Sequence, residues 1–409
     1  MKIRLFNAFL FGLLIAASVQ VAAADRDEQS RASVYRQVGL LTELGRKLFF
    51  DPALSASRKL SCASCHDPAY AYGPPNNLSV MIGGKDMTKV GFRAVPSLKY
   101  GQATPQFTEH YFDSDDEGDA SVDNGPTGGL MWDGRVDRGR DQARLPLLSP
   151  FEMANENPAA VVASVRKSAY AGMLRQAFGS TVFNDTNKAF NGILQAIETY
   201  EQTYTEFFPY SSKYDAFLVG KVKLTVQEAR GLRLFNDPAK GNCAHCHIST
   251  PGKDGTPPQF TDYGLIALGV PRNMKIPANQ DPAFYDLGLC GPLRPDLRSR
   301  LEYCGKFKTM TLRNVTTRRA FFHNGVFHTL REVLEFYAER DTSPEKWYSL
   351  NNDGTVRKFD DLPVEYHVNV NVAPPFNHHL GDKPTLSADE INDIIVFLQT
   401  LNDGYRVEK

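Results

Sequence analysis

The feature that most limits how this chain can fold is a segment that occurs twice. Leu41-Thr42, then Gly45, Leu48, Phe49 and Asp51-Pro52, lead into Cys62-Ala63-Ser64-Cys65-His66. Far downstream Leu224-Thr225, then Gly231, Leu234, Phe235 and Asp237-Pro238, lead into Cys243-Ala244-His245-Cys246-His247. This is an internal duplication of a helix running into a Cys-x-x-Cys-His motif, so each copy heads one domain. On a helical turn, cysteines at i and i+3 and a histidine at i+4 face the same side. Two thiols and an imidazole so placed suit c-type haem attachment, with two thioethers to the haem vinyl groups and the histidine on the iron. Cys62, Cys65 and His66, and Cys243, Cys246 and His247, are therefore the candidate attachment residues for two covalently bound haems c, with His66 and His247 as iron ligands. Zinc also takes Cys and His, but an adjacent histidine in each copy favours haem, and a thioredoxin-like dithiol leaves that histidine unexplained.

The N-terminus fits this chemistry. Lys2 and Arg4 precede an uncharged run from Leu5 to Val21, and Val21-Ala22-Ala23-Ala24 meets the charged Asp25-Arg26-Asp27-Glu28. That pattern reads as a secretory signal peptide, residues 1–24, cut near Ala24. No later uncharged stretch approaches the roughly 20 apolar residues of a membrane span, so the expectation is a periplasmic protein that is not membrane-embedded. With 46 basic and 47 acidic side chains, the chain lacks the basic excess that nucleic acid demands. In an oxidising compartment Cys290 and Cys304, which lack a following histidine, read as a disulfide.

Apolar residues at three and four spacing predict amphipathic helices from Ala159 to Ala177 and from Asn187 to Phe207. Ser387 is the expected N-cap of a helix running to Leu401, and Thr329 with Glu332 the expected capping box of another. Asp113 to Gly129 and Pro251 to Pro295 are rich in turn-forming residues and read as long loops. Few stretches alternate as strands do. The expected fold is mostly α, with two c-type cytochrome-like domains joined by long loops, residues 25–215 and 216–409.

Together with Met131-Trp132-Asp133-Gly134-Arg135, Gln142-Ala143, Ser149-Pro150-Phe151-Glu152-Met153 and Thr311-Leu312-Arg313-Asn314-Val315, the two motifs resemble the bacterial dihaem cytochrome c peroxidase and MauG family. The resemblance implies an N-terminal haem that meets hydrogen peroxide and a C-terminal haem that handles electrons. It also implies Trp132 between the haems, with Gln142 and Glu152 in the peroxide pocket. A carboxylate there would move a proton between the peroxide oxygens, and an amide would orient peroxide or product water.

Three departures matter. Ordinary peroxidases of the family carry a blocking histidine in the Gly-rich loop after the first motif, but residues 78–85 here hold none. MauG-type members also lack it and keep an open site; Met81 and Met87 are the alternative ligands. Where those peroxidases place a methionine after the Phe321-Phe322-His323-Asn324-Gly325 segment, this chain has Tyr337, as MauG does. Tyrosinate is a known haem ligand, and Met310 is the rival. Finally, the resemblance implies a calcium ion between the domains, held partly by backbone carbonyls near Arg318 and Ala320. Ala94 stands where the family has an asparagine, which removes one of the six to eight oxygens calcium seeks and weakens the case for it.

The resulting expectation is a MauG-like enzyme that shares the oxidising equivalents of peroxide between two haems and oxidises an aromatic residue of an exported partner protein. The alternative is a peroxidase reducing peroxide with electrons from a small cytochrome or copper protein. A pure electron carrier would need no Glu152. MauG relays charge outward through a tryptophan two residues before the second motif; Gly241 stands there in this chain, so another exit is required.

Overall fold

The computed structural model describes residues 30–112 and 122–407; the expected signal peptide and the first part of the acidic loop lie outside them. Helix α1 spans residues 30–50, followed by the short α2 (Cys62–Cys65) and the two-residue strands β1 (Ile82–Gly83) and β2 (Lys89–Val90). Then come α3 (Gly139–Leu148), α4 (Pro158–Lys167), α5 (Ala171–Phe178), α6 (Thr186–Glu201) and α7 (Tyr204–Phe207). The second half contains α8 (Lys213–Leu218), α9 (Val226–Asn236), β3 (Leu265–Ile266), β4 (Phe307–Lys308), α10 (Leu330–Glu339) and α11 (Ala388–Gln399). β1 pairs antiparallel with β2, in register Ile82 with Val90, and β3 with β4, in register Leu265 with Lys308. The fold is mostly helical with long irregular connections.

Each half has its own core. In the first, Leu41, Leu44 and Leu48 form one stripe of α1 and bury against Val161, Val165, Ile193 and Ile197. In the second, Phe235, Phe260, Ile394 and Phe397 pack with Tyr214 and Phe336. The chain crosses between them over a short distance, because Phe207 belongs to an aromatic cluster of the first half while Tyr214 lies in the second core.

The duplicated glycine acquires a reason here. A Cβ on Gly45 would lie 1.9 Å from the Ala196 carbonyl oxygen, and one on Gly231 would lie 2.0 Å from that of Asp393. In both halves the helix that runs into Cys-x-x-Cys-His thus crosses another helix, α6 or α11, with backbone against backbone. The phenylalanine four residues on, Phe49 or Phe235, is almost wholly buried.

The expected capping box of Thr329 with Glu332 is present, and Ser387, expected as an N-cap, forms a capping box with Glu390; Cys290 is bonded to Cys304. Both long helices expected between the motifs are interrupted. The first splits into α4 and α5 because the Ser168 hydroxyl takes the Val165 carbonyl and Tyr170 turns its hydroxyl to Asp51, 2.5 Å away. The second breaks after α6, where the Thr203 hydroxyl donates to the Tyr200 carbonyl. Helical spacing continues through both breaks, so periodicity alone cannot find them.

The two halves are locked by a buried ionic network. Arg93 donates to Asp133 at 2.6 Å and forks onto Asp286 at 2.7 and 2.8 Å, while Arg135 also reaches Asp133. Burial alone would raise the Asp133 carboxyl, but the charges of Arg93 and Arg135 hold it below the ordinary carboxylate range.

Two outcomes are expected. Gly231→Ala forces α9 and α11 apart and should cost about 1–3 kcal/mol or more, the range for overpacking, seen as a lower denaturant midpoint with unchanged slope. Asp133→Asn leaves Arg93 and Arg135 without their shared counter-charge and should cost about 3–5 kcal/mol. Because the folded pKa of Asp133 is depressed, its contribution is full at neutral pH and is lost as the pH falls through that depressed value. Urea titrations from pH 7 downward should therefore show the gap between variant and wild type closing in acid.

Candidate functional site

At the first motif Ser61 and Ser64 form a capping box that sets the start of α2, and His66 closes the turn. The His66 Nδ1–H donates to the Tyr72 carbonyl at 3.0 Å. At the second motif the turn is a tighter 3-10 helix, Cys243–His245, rather than an α-helical one. His247 nevertheless repeats the arrangement, its Nδ1–H donating to the Phe260 carbonyl at 2.9 Å. In both imidazoles the proton is therefore fixed on Nδ1 and the lone pair on Nε2 is left for a metal. Burial pushes both down to about 4, so both are neutral at physiological pH. These acceptors are backbone carbonyls, which side-chain reading of a sequence does not find.

All four motif cysteines are free thiols. Burial pushes Cys65, Cys243 and Cys246 up to about 12 and Cys62 further still. Zinc needs the thiolate, and among the described residues no three His, Cys, Asp or Glu side chains converge as a metal ion requires. A cavity of about 220 Å³ opens beside the second motif, lined by Cys243, Cys246, His247, Met310, Trp132 and Tyr337 among others. The Tyr337 phenol is pushed up by burial and by the fields of Cys246 and Cys243, which places it close to that cysteine pair. Its ring packs on Phe322 and Phe376, and its hydroxyl makes no hydrogen bond among the described residues. His323, missed as a site residue although the Phe-x-His-x-Gly signal marks it, lines the same cavity, its buried Nε2 lying 3.4 Å from the Asp361 carboxylate. An apolar cavity with paired thiols and a neutral imidazole fits a covalently held haem.

Trp132 sits at the junction of the halves. Its indole N–H donates to the Ala94 carbonyl at 2.8 Å, and its own carbonyl accepts from the Lys308 N–H at 2.8 Å. Gln142 lies on α3, part-buried, with no side-chain hydrogen bond among the described residues. Glu152 is held by its backbone: the Gly84 N–H donates to its carbonyl at 2.8 Å, and a Cβ on Gly83 would meet the Phe151 oxygen at 2.3 Å. The Gly-rich loop that lacks a histidine is thus the loop that fixes Glu152. The Glu152 carboxyl is open to solvent along one side, yet the protein crowded around it raises its pKa, with Ser149 and Arg135 pulling it partly back. Its field also raises Cys65 and Cys62, so it belongs to the first motif. Met81 accepts a hydrogen bond from Asn76 at 3.3 Å, which occupies its sulfur.

Calcium does not fit the residues present. Ala94 has no side-chain oxygen, its carbonyl is taken by Trp132, and the Arg318 guanidinium donates to the carbonyls of Val95 and Ala320.

Comparison with known proteins gives one answer. Residues 40–223 match the family model described as di-haem cytochrome c peroxidase. The chain is 32% identical to the methylamine utilization protein MauG of Paracoccus denitrificans, covering 95% of this chain and 94% of that protein. It is 29% identical to the cytochrome c551 peroxidase of Nitrosomonas europaea, over 78% of this chain and 79% of that one. The crystal structure of the diheme peroxidase BthA from Burkholderia thailandensis superposes with a TM-score of 0.77 at 37% identity, covering 89% of this chain and 86% of that one. A second solved structure of BthA, a tyrosine-to-methionine variant, gives 0.80 at 38%, with the same coverage. The match to MauG runs over nearly the whole chain, and with it this protein belongs to the dihaem cytochrome c peroxidase and MauG family of haem-dependent oxidoreductases that use peroxide.

Proposed function

We propose that the chain is a MauG-like dihaem enzyme of the periplasm that reduces hydrogen peroxide at the first motif and spends the oxidising equivalents, shared with the second, on an aromatic residue of an exported partner protein. Among the described residues no helix is long and apolar enough to cross a membrane. When bound, haem c supplies at each site an iron that gives up and takes back electrons. Cys62, Cys65 and His66 Nε2 would hold one haem, and Cys243, Cys246 and His247 Nε2 the other.

Peroxide needs two electrons and two protons to become two waters. Glu152 is the group that moves a proton from one peroxide oxygen to the other, and Gln142 orients peroxide and product water. Trp132, hydrogen-bonded to both halves, carries electrons between the sites. Tyr337 would offer its phenol oxygen to the second haem when that group is bound; an anionic oxygen ligand favours the higher oxidation state of iron, whereas a thioether favours the lower one.

The observation that most supports this reading is Tyr337 in the same cavity as His247 and within the field of its cysteines. Met310 lines that cavity too, and this favours the second reading, a peroxidase fed electrons by a small cytochrome or copper protein. A side chain at position 241 would strike the Leu234 carbonyl at 2.8 Å and the Cys243 sulfur at 3.0 Å, so an outward charge relay must leave elsewhere than through that position.

Tyr337→Phe should change the low-spin ferric spectrum while both haems stay attached, checked by paramagnetic resonance and a pyridine haemochrome count; an unchanged spectrum assigns the ligand to Met310. Glu152→Gln should retain both haems but slow the stopped-flow reaction with peroxide by about 10²-fold or more, the usual worth of general acid–base catalysis. The wild-type rate should fall as pH drops through the raised Glu152 pKa, because the proton-accepting form is lost, and the variant should lack that fall. Mass spectrometry of exported partners after peroxide addition tests the substrate: a modified aromatic residue supports the first reading, and rapid consumption of a reduced small cytochrome without it supports the second.

A further inference from the structure

We infer that Arg318 does the work of an interdomain metal ion in this chain, its guanidinium holding the Val95 and Ala320 carbonyls and fixing one positive charge between the two Cys-x-x-Cys-His sites. The junction is a backbone seam. The Ala94 N–H donates to the His323 carbonyl at 2.6 Å, so residues 93–97 of the first half lie along residues 318–325 of the second. Arg318 spans that seam, its Nη2 donating to Ala320 at 3.1 Å and to Val95 at 3.3 Å. Two carbonyls facing each other across an interface are what a hard cation would bridge. Here a donor already occupies them, and a metal ion added beside it would meet like charge.

The charge itself is unusual. Among the described residues no carboxylate lies within ion-pairing distance of Arg318, whereas Arg93, close by in the same seam, has two. Burial without a counter-ion pushes Arg318 down to about 10, which still leaves it charged at neutral pH. Arg318 is half-buried and carries its charge without a carboxylate partner. It lines the cavity of the second motif and also acts electrostatically on His66 of the first. With haems bound at both sites, a positive charge so placed would stabilise the reduced form of each. Unlike a metal ion, it cannot be removed by a chelator or by dilution. Arg318 is thus a positioning residue that joins the halves and sets the potential of both.

This inference rests on the two-haem reading for its redox part, but its metal part is read independently of haem. Metal analysis of the purified protein should find well under one calcium per chain, and neither EDTA nor added calcium should shift its melting temperature or ferric spectrum. Arg318→Gln should lower both midpoint potentials, because the oxidised forms lose a repelling charge, and Arg318→Lys should keep them near wild type. One tightly held calcium per chain, lost to EDTA with a change in spectrum or melting, would overturn the inference, as would unchanged potentials in Arg318→Gln. A haem count on the same samples separates the cases: fewer than two haems per chain counts against the functional reading, while the calcium content still decides whether Arg318 stands in for a metal.

Discussion

Two helix crossings with no room for a side chain hold everything else in place. At Gly45 and at Gly231 the helix entering each Cys-x-x-Cys-His motif touches the backbone of the helix it crosses, so the depth and angle of that entry are fixed by backbone atoms rather than by adaptable side chains. The motif follows 17 residues after the glycine in the first half and 12 in the second, and in each its histidine is caught by a carbonyl of the loop that comes next, Tyr72 or Phe260. A rigid crossing and one oriented imidazole per half amount to a mould for a planar group. The short 3-10 turn at Cys243 differs from the α-helical turn at Cys62 without disturbing the histidine that follows. The constraint therefore lies in the crossing and the carbonyl, not in the turn between.

Much of this was legible in the residues. The duplication announced two units; that its repeated glycine makes a close helix crossing and its repeated phenylalanine is buried came only with the fold. Capping boxes at Thr329 and Ser387 declared their helices because a side chain and the backbone three residues on must pair reciprocally. Periodicity failed where local hydrogen bonding overrode it, at Ser168 and Thr203, since the apolar stripe continues through both breaks. What the sequence hides most thoroughly is the junction. Arg93, Asp133 and Asp286 are distant in the chain, and only folding makes them one buried network. The acceptors of His66 and His247 are main-chain atoms and carry no residue signature at all.

The junction also explains why Glu152 and Trp132, twenty residues apart, serve different halves. Trp132 is pinned from both sides, by Ala94 and by Lys308, while the next residue, Asp133, is buried among arginines. The chain then runs through α3 and returns to the first motif, where the Gly83-Gly84 loop grips the Glu152 backbone. Gly83 of that loop lies too close to Phe151 to carry a side chain.

Charge at the seam is distributed unevenly, and the unevenness has a direction. Arg93 and Arg135 are neutralised by Asp133 and Asp286, so they act as structural ties with little field beyond themselves. Arg318 carries no such partner, and Lys308, whose ammonium is buried against the Gly129 carbonyl, is pushed down to about 8 by burial, with Asp133 pulling it partly back. Both uncompensated cations line the cavity of the second motif. In a low-dielectric site such charges act over many ångströms, and they favour electrons arriving there. Tyr337, if it meets the iron as a phenolate, acts in the opposite sense by adding a negative oxygen to the same cavity. With a haem held there and the Tyr337 phenol bound to it, the potential of the second site would reflect opposed contributions from two cations on the seam side and one phenol on α10, and a change in either alone would move the balance between holding oxidising equivalents and passing them on.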